Sequence, residues 1–209
     1  LPALPAGVTE KVETIWAREL ERNPNLKAGP LLAARSVEAV AGERRLRLLC
    51  GVSNYKNFMG TTHEEVAPAI AEEHRHRATG FLAVTFTADD CFLLGVRSPK
   101  IDWGNLRHVV PAGRLRPDEK DPFTGIRAEY REELGLEASE IRGLACVGVV
   151  ADQTWGRLNY EFCFRAWTTL TAREVIKRAK AAKSADEHCQ LEPFPWSEDF
   201  VRELLLADP

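Results

Sequence analysis

The predicted fold is decided by a stretch that reads Ala128-Glu-Tyr-Arg-Glu-Glu-Leu-Gly-Leu136 and follows an earlier segment, Gly113-Arg-Leu-Arg-Pro-Asp-Glu119. Thr124, which lies between the two, is a good helix N-cap, and Gly135 is a typical helix C-cap. The pattern therefore predicts a helix that begins near Thr124 and ends at Gly135. One side of this helix is apolar and is predicted to pack on a core, through Phe123, Ile126, Tyr130 and Leu134.

The same helix carries three glutamates on one face. Glu129, Glu132 and Glu133 are spaced i, i+3 and i+4, which brings their carboxylates within reach of one another. Their neighbours in helical register include no lysine or arginine, because Arg127 and Arg131 project from roughly the other side. The face is either a solvated acidic surface or a carboxylate cluster that binds a cation. We favour the cation, because uncompensated like charges destabilise a helix and carboxylate oxygens suit Mg²⁺, Mn²⁺ or Ca²⁺.

Together the two segments resemble the Nudix box, whose pattern is G-x5-E-x7-R-E-U-x-E-E-x-G-U with U an aliphatic residue. Gly113 and Glu119 match its first half, and the second half is matched by Glu129, Glu132, Glu133, Gly135 and Leu136. Ala128 stands where the family has an arginine that orients the first helical glutamate, and eight residues rather than seven separate it from Glu119. The resemblance implies a Nudix fold, with a mixed β-sheet between helices, and a hydrolase that uses Mg²⁺ or Mn²⁺.

Length, charge and cysteine content limit the class of protein. The chain has 209 residues, enough for one large domain or one domain with an extension, and its formal net charge of −3 argues against a nucleic acid partner. It has no apolar run of about 20 residues and no signal-peptide pattern, so we expect no membrane span and no secretion. The five cysteines are scattered without a C-x-x-C motif and are interpreted as reduced core residues of a cytoplasmic protein.

The chain before the box predicts a small α/β extension. Its predicted elements are a helix, a hairpin and a second helix, at residues 9–22, 31–40 with 46–52, and 64–73. His74 and His76 follow in an arginine-rich run and are interpreted as solvated rather than metal-bound. We predict two parts: an amino-terminal extension over residues 1–75, packed on the catalytic domain, and the Nudix hydrolase domain over residues 76–209.

A loop-like segment of this extension carries a second motif. It reads Tyr55-Lys-Asn-Phe58-Met-Gly60-Thr61 and has neither helical nor strand periodicity. It resembles the Tyr-x-x-Phe-x-Gly-Thr segment in the extension of one Nudix subfamily, the UDP-glucose and UDP-galactose diphosphatases, and of related plant nucleoside-diphosphate-sugar hydrolases. Ile15-Trp16 is similar to the same extension, and the box of that subfamily also lacks the arginine that Ala128 replaces.

The remaining chain reads as strands followed by helices. Strands are predicted at residues 81–86, 91–96, 108–110, 142–150, 159–167 and 190–195, and helices at residues 171–182 and 197–206. The pattern by itself supports only the α+β class.

The resemblance also implies further metal ligands. The backbone carbonyl near Gly113 is the family's usual additional ligand, because a small residue permits close approach. Glu187 lies in the loop from which many Nudix enzymes supply another carboxylate as ligand or base, and it is equally compatible with an ordinary loop acid. Glu161, an acid between aromatic residues, is the other candidate, and Glu119 is expected to position the box loop. The predicted catalytic and metal-binding carboxylates are Glu129, Glu132, Glu133 and Glu187.

Substrate contacts are predicted from residue type. Arg97, Lys100 and Arg114 could contact phosphates, while Tyr55, Phe58 and Trp103 could stack on a base, although each is equally plausible as a surface charge or a packing ring. By resemblance, the reaction is Mg²⁺-dependent cleavage of UDP-glucose or UDP-galactose to UMP and a sugar 1-phosphate. GDP-mannose and ADP-ribose are alternatives within this class. A different class stays open: a catalytically silent Nudix fold that binds a nucleotide sugar as a sensor.

Overall fold

A computed structural model describes residues 1–40, 42–43, 45–101, 104–119, 121–152 and 159–199. These residues form two compact units. The first unit is built from Leu1–Phe81, Gly113–Gly125 and Val149–Phe162, and the second from Leu82–Ala112, Ile126–Gly148 and Cys163–Pro209, in each case as far as the residues are described. Both units are discontinuous in sequence, since the chain leaves the first unit after Phe81 and returns to it twice.

The described residues form four α-helices and nine β-strands, which confirms the predicted α+β class. The helices are α1 (Ala6–Arg22), α2 (Tyr55–Thr61), α3 (Pro122–Leu134) and α4 (Ala172–Ala179). The strands are β1 (Pro30–Ala39), β2 (Leu46–Asn54), β3 (Arg77–Phe86), β4 (Cys91–Arg97), β5 (Arg107–Val109), β6 (Ala112–Arg114), β7 (Ile141–Asp152), β8 (Asn159–Thr168) and β9 (His188–Pro195). They pair into a mixed sheet, as predicted.

The first unit contains the helix and hairpin that the amino-terminal sequence predicts. α1 turns Val12 and Ile15 into the core, in keeping with the helical spacing of its apolar residues. β1 and β2 pair antiparallel, with Pro30 opposite Asn54 at the open end of the hairpin. Both predictions are therefore confirmed, with α1 beginning somewhat earlier than its sequence pattern indicates.

The predicted second helix at residues 64–73 is wrong. An α-helix there would place Pro68, which has no N–H to donate, in its interior. The structure instead has two short 3₁₀ turns, Ala67–Ala69 and Glu72–His74. The helix of this region is α2, in the segment whose sequence lacks helical periodicity. It begins there because the Asn54 side chain accepts the backbone N–H of Asn57 at 2.8 Å, a typical N-cap.

β4 joins two neighbouring strands in the second unit. Leu94 lies opposite Val109 of β5 on one side and opposite Glu192 of β9 on the other, and both pairings are antiparallel. Helix α4 begins at a capping box, in which the side chains of Thr171 and Glu174 each accept a backbone N–H from the other residue. α4 ends at Ala179, earlier than the predicted residue 182.

The apolar stripe predicted for α3 is largely confirmed. Ile126, Tyr130 and Leu134 are fully buried, whereas Phe123 is exposed. Tyr130 fits an apolar stripe because its hydroxyl lies 3.0 Å from Thr85 Oγ1, which itself donates to the Val110 carbonyl at 2.8 Å. Burial raises the pKa of Tyr130, so the phenol stays neutral and serves as a hydrogen-bond donor.

The other predicted strands are confirmed, and β7, β8 and β9 begin or end within a few residues of their predicted bounds. The predicted closing helix at residues 197–206 lies mostly outside the described residues. Across the part of the chain that is described, no helix is long and apolar enough to cross a membrane.

All five cysteines lie in the described part of the chain and are free thiols. Cys50, Cys91, Cys146 and Cys163 are half-buried, and Cys189 is exposed. The interpretation of these residues as core residues is therefore wrong for Cys189 and only partly right for the others.

Candidate functional site

Helix α3 begins earlier than its sequence pattern indicates. It starts at Pro122, and Asp121 takes the capping role predicted for Thr124, because Asp121 Oδ1 accepts the Thr124 N–H at 2.8 Å. Proline suits the first helical position, where its missing N–H costs no hydrogen bond. Gly125 is needed in the first turn, since a Cβ there would collide with the ring of Phe81. At the other end, Gly135 adopts a φ of 65° and ends the helix as predicted.

Glu133 is buried, with 3 % of its surface exposed, and each of its carboxylate oxygens has its own partner. Oε1 accepts the backbone N–H of Ala112 at 3.0 Å, and Oε2 lies 2.8 Å from Nε2 of His188. The imidazole has room because residue 95 of β4 is glycine. A Cβ at Gly95 would lie 2.5 Å from His188 Nδ1. The buried carboxylate is thus compensated by groups that come from outside its own helix.

The other two acids of the same helical face are less buried. Glu132 is half-buried, and its Oε2 lies 2.9 Å from Nζ of Lys183. The backbone carbonyl of Glu132 accepts the N–H of Ser184 at 2.8 Å, which ties the segment after α4 to the helix. Glu129 is half-buried as well. The partners that the helix itself lacks are therefore supplied by Lys183 and His188.

The segment after α4 also brings Glu187 close to Glu133. Burial, and after it the negative charge of Glu133, raises the pKa of the Glu187 carboxyl above its usual range. The charge of Arg97 acts in the opposite direction, so its guanidinium lies within electrostatic range of Glu187 too. Backbone hydrogen bonding holds this segment in place, since the Ser98 N–H donates to the Glu187 carbonyl at 2.8 Å. The structure therefore gathers Glu133, Glu187 and Arg97 in the second unit.

The donors of this cluster fit a hard divalent cation. Burial, and after it the negative charge of Glu133, raises the pKa of Glu187, and a bound cation would relieve the repulsion between the two carboxylates. Carboxylate oxygens are the ligands that Mg²⁺ and Mn²⁺ prefer. Among the described residues, no three His, Cys, Asp or Glu side chains already surround a common point where an ion could sit. A metal would share Glu132 and Glu133 with Lys183 and His188.

Gly113 and Glu119 lie in the first unit. Gly113 is the middle residue of β6. Glu119 is buried, its Oε2 accepts the Arg116 N–H at 2.8 Å, and its Oε1 lies 3.1 Å from Arg116 Nη2. Both contacts fold the loop after β6 back on itself, which supports the predicted positioning role of Glu119.

Arg114 and Glu161 meet in the first unit and form an ion pair. Their side chains are 26 % and 13 % exposed, so each charge is largely withdrawn from water and compensates the other. Glu161 was one candidate for a further metal ligand and Arg114 a candidate for a phosphate contact. In the structure each is the partner of the other.

The predicted stacking rings have different environments. Phe58 is fully buried, so its ring has no face open to a base, and the Arg114 guanidinium lies 5.5 Å from its centroid. Tyr55 is half-buried between Trp16 and Phe58, with ring centroids 6.4 and 5.7 Å away. Trp103 lies outside the described residues. Of the predicted rings that are described, Tyr55 alone keeps part of its surface exposed.

The sequence pattern does not identify His188 and Lys183, the two side chains that contact the carboxylates of Glu133 and Glu132. His188 could have been found from its position next to Glu187, together with the glycine inside strand β4. The interpretation of His76 as solvated is wrong. This histidine is 4 % exposed, and its Nδ1 lies 2.6 Å from Ser53 Oγ.

Comparison with protein families gives one match for the chain. The family described as NUDIX domain matches residues 74–199, more than half of the chain. Among curated proteins, no match is found.

Several solved structures are similar to parts of the chain. The NUDIX domain of Shewanella oneidensis NrtR in complex with ADP ribose is 14% identical, covering 68% of this chain and 84% of that one, with a TM-score of 0.44. A C. elegans Ap4A hydrolase binary complex is 15% identical, with coverages of 62% and 88% and a TM-score of 0.43. A NUDIX-family hydrolase from Clostridium perfringens is 12% identical, with coverages of 63% and 87% and a TM-score of 0.42.

Proposed function

The chain belongs to the Nudix family, and from this premise we propose that it hydrolyses the diphosphate bond of a nucleoside diphosphate sugar. Membership in this family supports a pyrophosphohydrolase that uses a divalent metal such as Mg²⁺. The observation that carries the proposal is that the segment with Glu187 is bonded to helix α3, through the Ser184 N–H and the Glu132 carbonyl at 2.8 Å, and that burial, and after it the charge of Glu133, raises the pKa of the Glu187 carboxyl. The proposed substrates are UDP-glucose and UDP-galactose, cut to UMP and a sugar 1-phosphate.

Five residues are proposed to hold the metal: the carbonyl of Gly113 and the carboxylates of Glu129, Glu132, Glu133 and Glu187. When bound, Mg²⁺ or Mn²⁺ would neutralise the diphosphate and lower the pKa of a coordinated water. Glu187, half-buried in the segment after α4, is proposed either as a metal ligand or as the base that accepts the proton of the attacking water. Arg97, within electrostatic range of Glu187, is proposed to contact the phosphates.

The nucleotide sugar is proposed from the Tyr55 to Thr61 motif of the sequence. In the structure this motif forms α2 and packs on α1, where a Cβ at Gly60 would lie 2.7 Å from a Val12 methyl group. Thr61 Oγ1 accepts the His76 N–H at 2.9 Å. The motif residues therefore take part in the packing of the first unit. Within the motif, Tyr55 is the proposed contact with the base.

The proposal is tested with a panel of UDP-glucose, UDP-galactose, GDP-mannose and ADP-ribose in the presence of Mg²⁺. We expect UMP as the nucleotide product of the two UDP-sugars, and a reaction in isotopically labelled water would identify which phosphate takes up the new oxygen. Turnover should depend on Glu133, whereas Glu64→Gln, an exposed control, should leave it unchanged. Faster release of GMP or AMP than of UMP would contradict the UDP-sugar assignment.

A second candidate function is a silent Nudix protein that binds the nucleotide sugar without cleaving it. It is favoured by Ala128 in place of the box arginine and by the lack, among the residues described, of a preformed three-ligand metal group. Calorimetric binding of UDP-glucose with no UMP released after prolonged incubation would support the silent binder and contradict the hydrolase.

A further inference from the structure

The Arg114 side chain is held on two sides within the first unit. Its guanidinium lies 5.5 Å from the centre of the Phe58 ring, a cation–π distance, and it is paired with Glu161. Phe58 is fully buried and belongs to a hydrophobic cluster with Leu31 and other residues. An arginine confined in this way has little freedom to follow a ligand.

The ion pair lies directly against the backbone of β3. A Cβ on Gly80 would lie 2.8 Å from Arg114 Nη1 and still closer to a carboxylate oxygen of Glu161. Such distances are shorter than real Cβ contacts, so a Cβ on residue 80 would have to displace the charged ends of both side chains. The φ of Gly80 is not in the left-handed region, so alanine would disturb the pair without straining the backbone.

The chain next to Arg114 is fixed by two backbone hydrogen bonds. The Leu115 N–H donates to the Thr79 carbonyl at 2.9 Å, and the Leu115 carbonyl accepts the Leu32 N–H at 2.8 Å. Gly113 and Arg114 immediately precede this residue. The side-chain contacts of Arg114 and the backbone hydrogen bonds of Leu115 together restrain the Gly113 segment.

We propose that Arg114 is a positioning residue, which Phe58 and Glu161 lock in place so that strand β6 presents Gly113 to the reaction. This inference rests on the proposed function, in which Gly113 contributes to the metal site. In this inference the buried Phe58 ring supports the Arg114 guanidinium and does not contact the substrate. It also makes Glu161 the counter-ion of Arg114 rather than a metal ligand or base.

If Arg114 instead contacted a substrate phosphate directly, the variant Glu161→Gln should have a different effect on the kinetics. Glu161→Gln removes the counter-charge that holds Arg114 and keeps the arginine itself. If Arg114 binds phosphate, freeing it should lower KM. If it is a positioning residue, kcat should fall at least tenfold while KM stays within threefold.

The experiment compares Gly80→Ala and Glu161→Gln with the full-length wild type, using UMP release from UDP-glucose in the presence of Mg²⁺. Gly148→Ala is the matched control, because Gly148 also lies in a strand and a Cβ there meets nothing within 4 Å. Both test variants should lose at least tenfold in kcat with little change in KM, and the control should lose nothing. Should Gly80→Ala fail to fold, Glu161→Gln carries the same test.

Amide hydrogen exchange provides a readout that needs no substrate. In both test variants the Leu115 N–H should exchange at least tenfold faster than in the wild type, whereas the Ala83 N–H, bonded to the Pro111 carbonyl at 2.9 Å, should keep its rate. A lowered KM in Glu161→Gln, or wild-type kcat and wild-type Leu115 exchange in both variants, overturns the inference. A wild type that releases no UMP overturns the proposed function instead, and Leu115 exchange then decides whether Arg114 positions the strand.

Discussion

Replacement of Glu133 by glutamine should remove activity with only a small loss of stability. The wild-type carboxylate is buried and accepts the Ala112 N–H at 3.0 Å, with His188 Nε2 at 2.8 Å from its other oxygen. Glutamine has the same shape and can still accept the N–H of Ala112, so no cavity forms. It cannot carry the negative charge that a metal ligand needs.

The expected loss of stability follows from these two contacts. Hydrogen bonds to charged groups contribute about 1.5–3 kcal/mol and neutral ones about 1 kcal/mol, so neutralising both contacts costs roughly 1–4 kcal/mol in the free energy of unfolding. Relief of the repulsion from Glu187 opposes this loss. A net cost of about 1 kcal/mol lowers Tm by roughly 2–4 °C for a chain of this size. Turnover should fall at least a hundredfold, about 2.7 kcal/mol in activation free energy.

Two measurements check this prediction: thermal unfolding without metal, and UMP release at saturating Mg²⁺. Glu64→Gln again serves as the control for a glutamate at the surface. Wild-type turnover in Glu133→Gln would refute the assignment of this site. A fall in Tm of more than about 10 °C would refute the estimate from the two contacts, because the lost activity would then reflect unfolding.

Three further predictions concern other residues. Gly95→Ala should push His188 aside, destabilise the fold by about 1–3 kcal/mol and reduce turnover, whereas Gly148→Ala should do neither; denaturant unfolding and UMP release measure both effects. Burial, with neighbouring positive charge, lowers the pKa of His76 from 6.5 to about 4. The neutral His76 ring therefore contributes up to about 3 kcal/mol to the free energy of unfolding above pH 6.5. This contribution is lost as the pH falls toward 4, and His76→Leu should flatten that part of the plot of stability against pH. Ala128→Arg should leave turnover flat or lower it if the helix entrance is adapted to alanine, and a tenfold gain, about 1.4 kcal/mol, would contradict this.

The local features of the fold could be predicted from the sequence because short-range spacing determines them. The i, i+3, i+4 spacing of Glu129, Glu132 and Glu133 places them on one face of α3, and Gly135 ends that helix as predicted. The alternation and turn residues of β1 and β2 predict the hairpin. Family membership follows from the same local pattern, since the box is a contiguous motif.

The first residue of a helix is hard to predict when the side chain that caps it lies outside the periodic segment. The N-terminus of α3 follows Asp121, and α2 exists because Asn54 caps a short segment with no periodicity of its own. Burial of Phe58 could not be predicted either, because the same ring suits a core and a stacking surface.

The partners of the charged residues were decided only by the tertiary structure. Glu133 meets His188, and Arg114 meets Glu161, across long stretches of intervening chain. No periodicity links such residues, because their distance depends on how strands and helices pack rather than on their separation in sequence. Glycines at positions 80 and 95 make these contacts possible by leaving space where a Cβ would collide. The sequence by itself therefore determined which acids share a helical face, while the packing of the elements determined which side chains contact them.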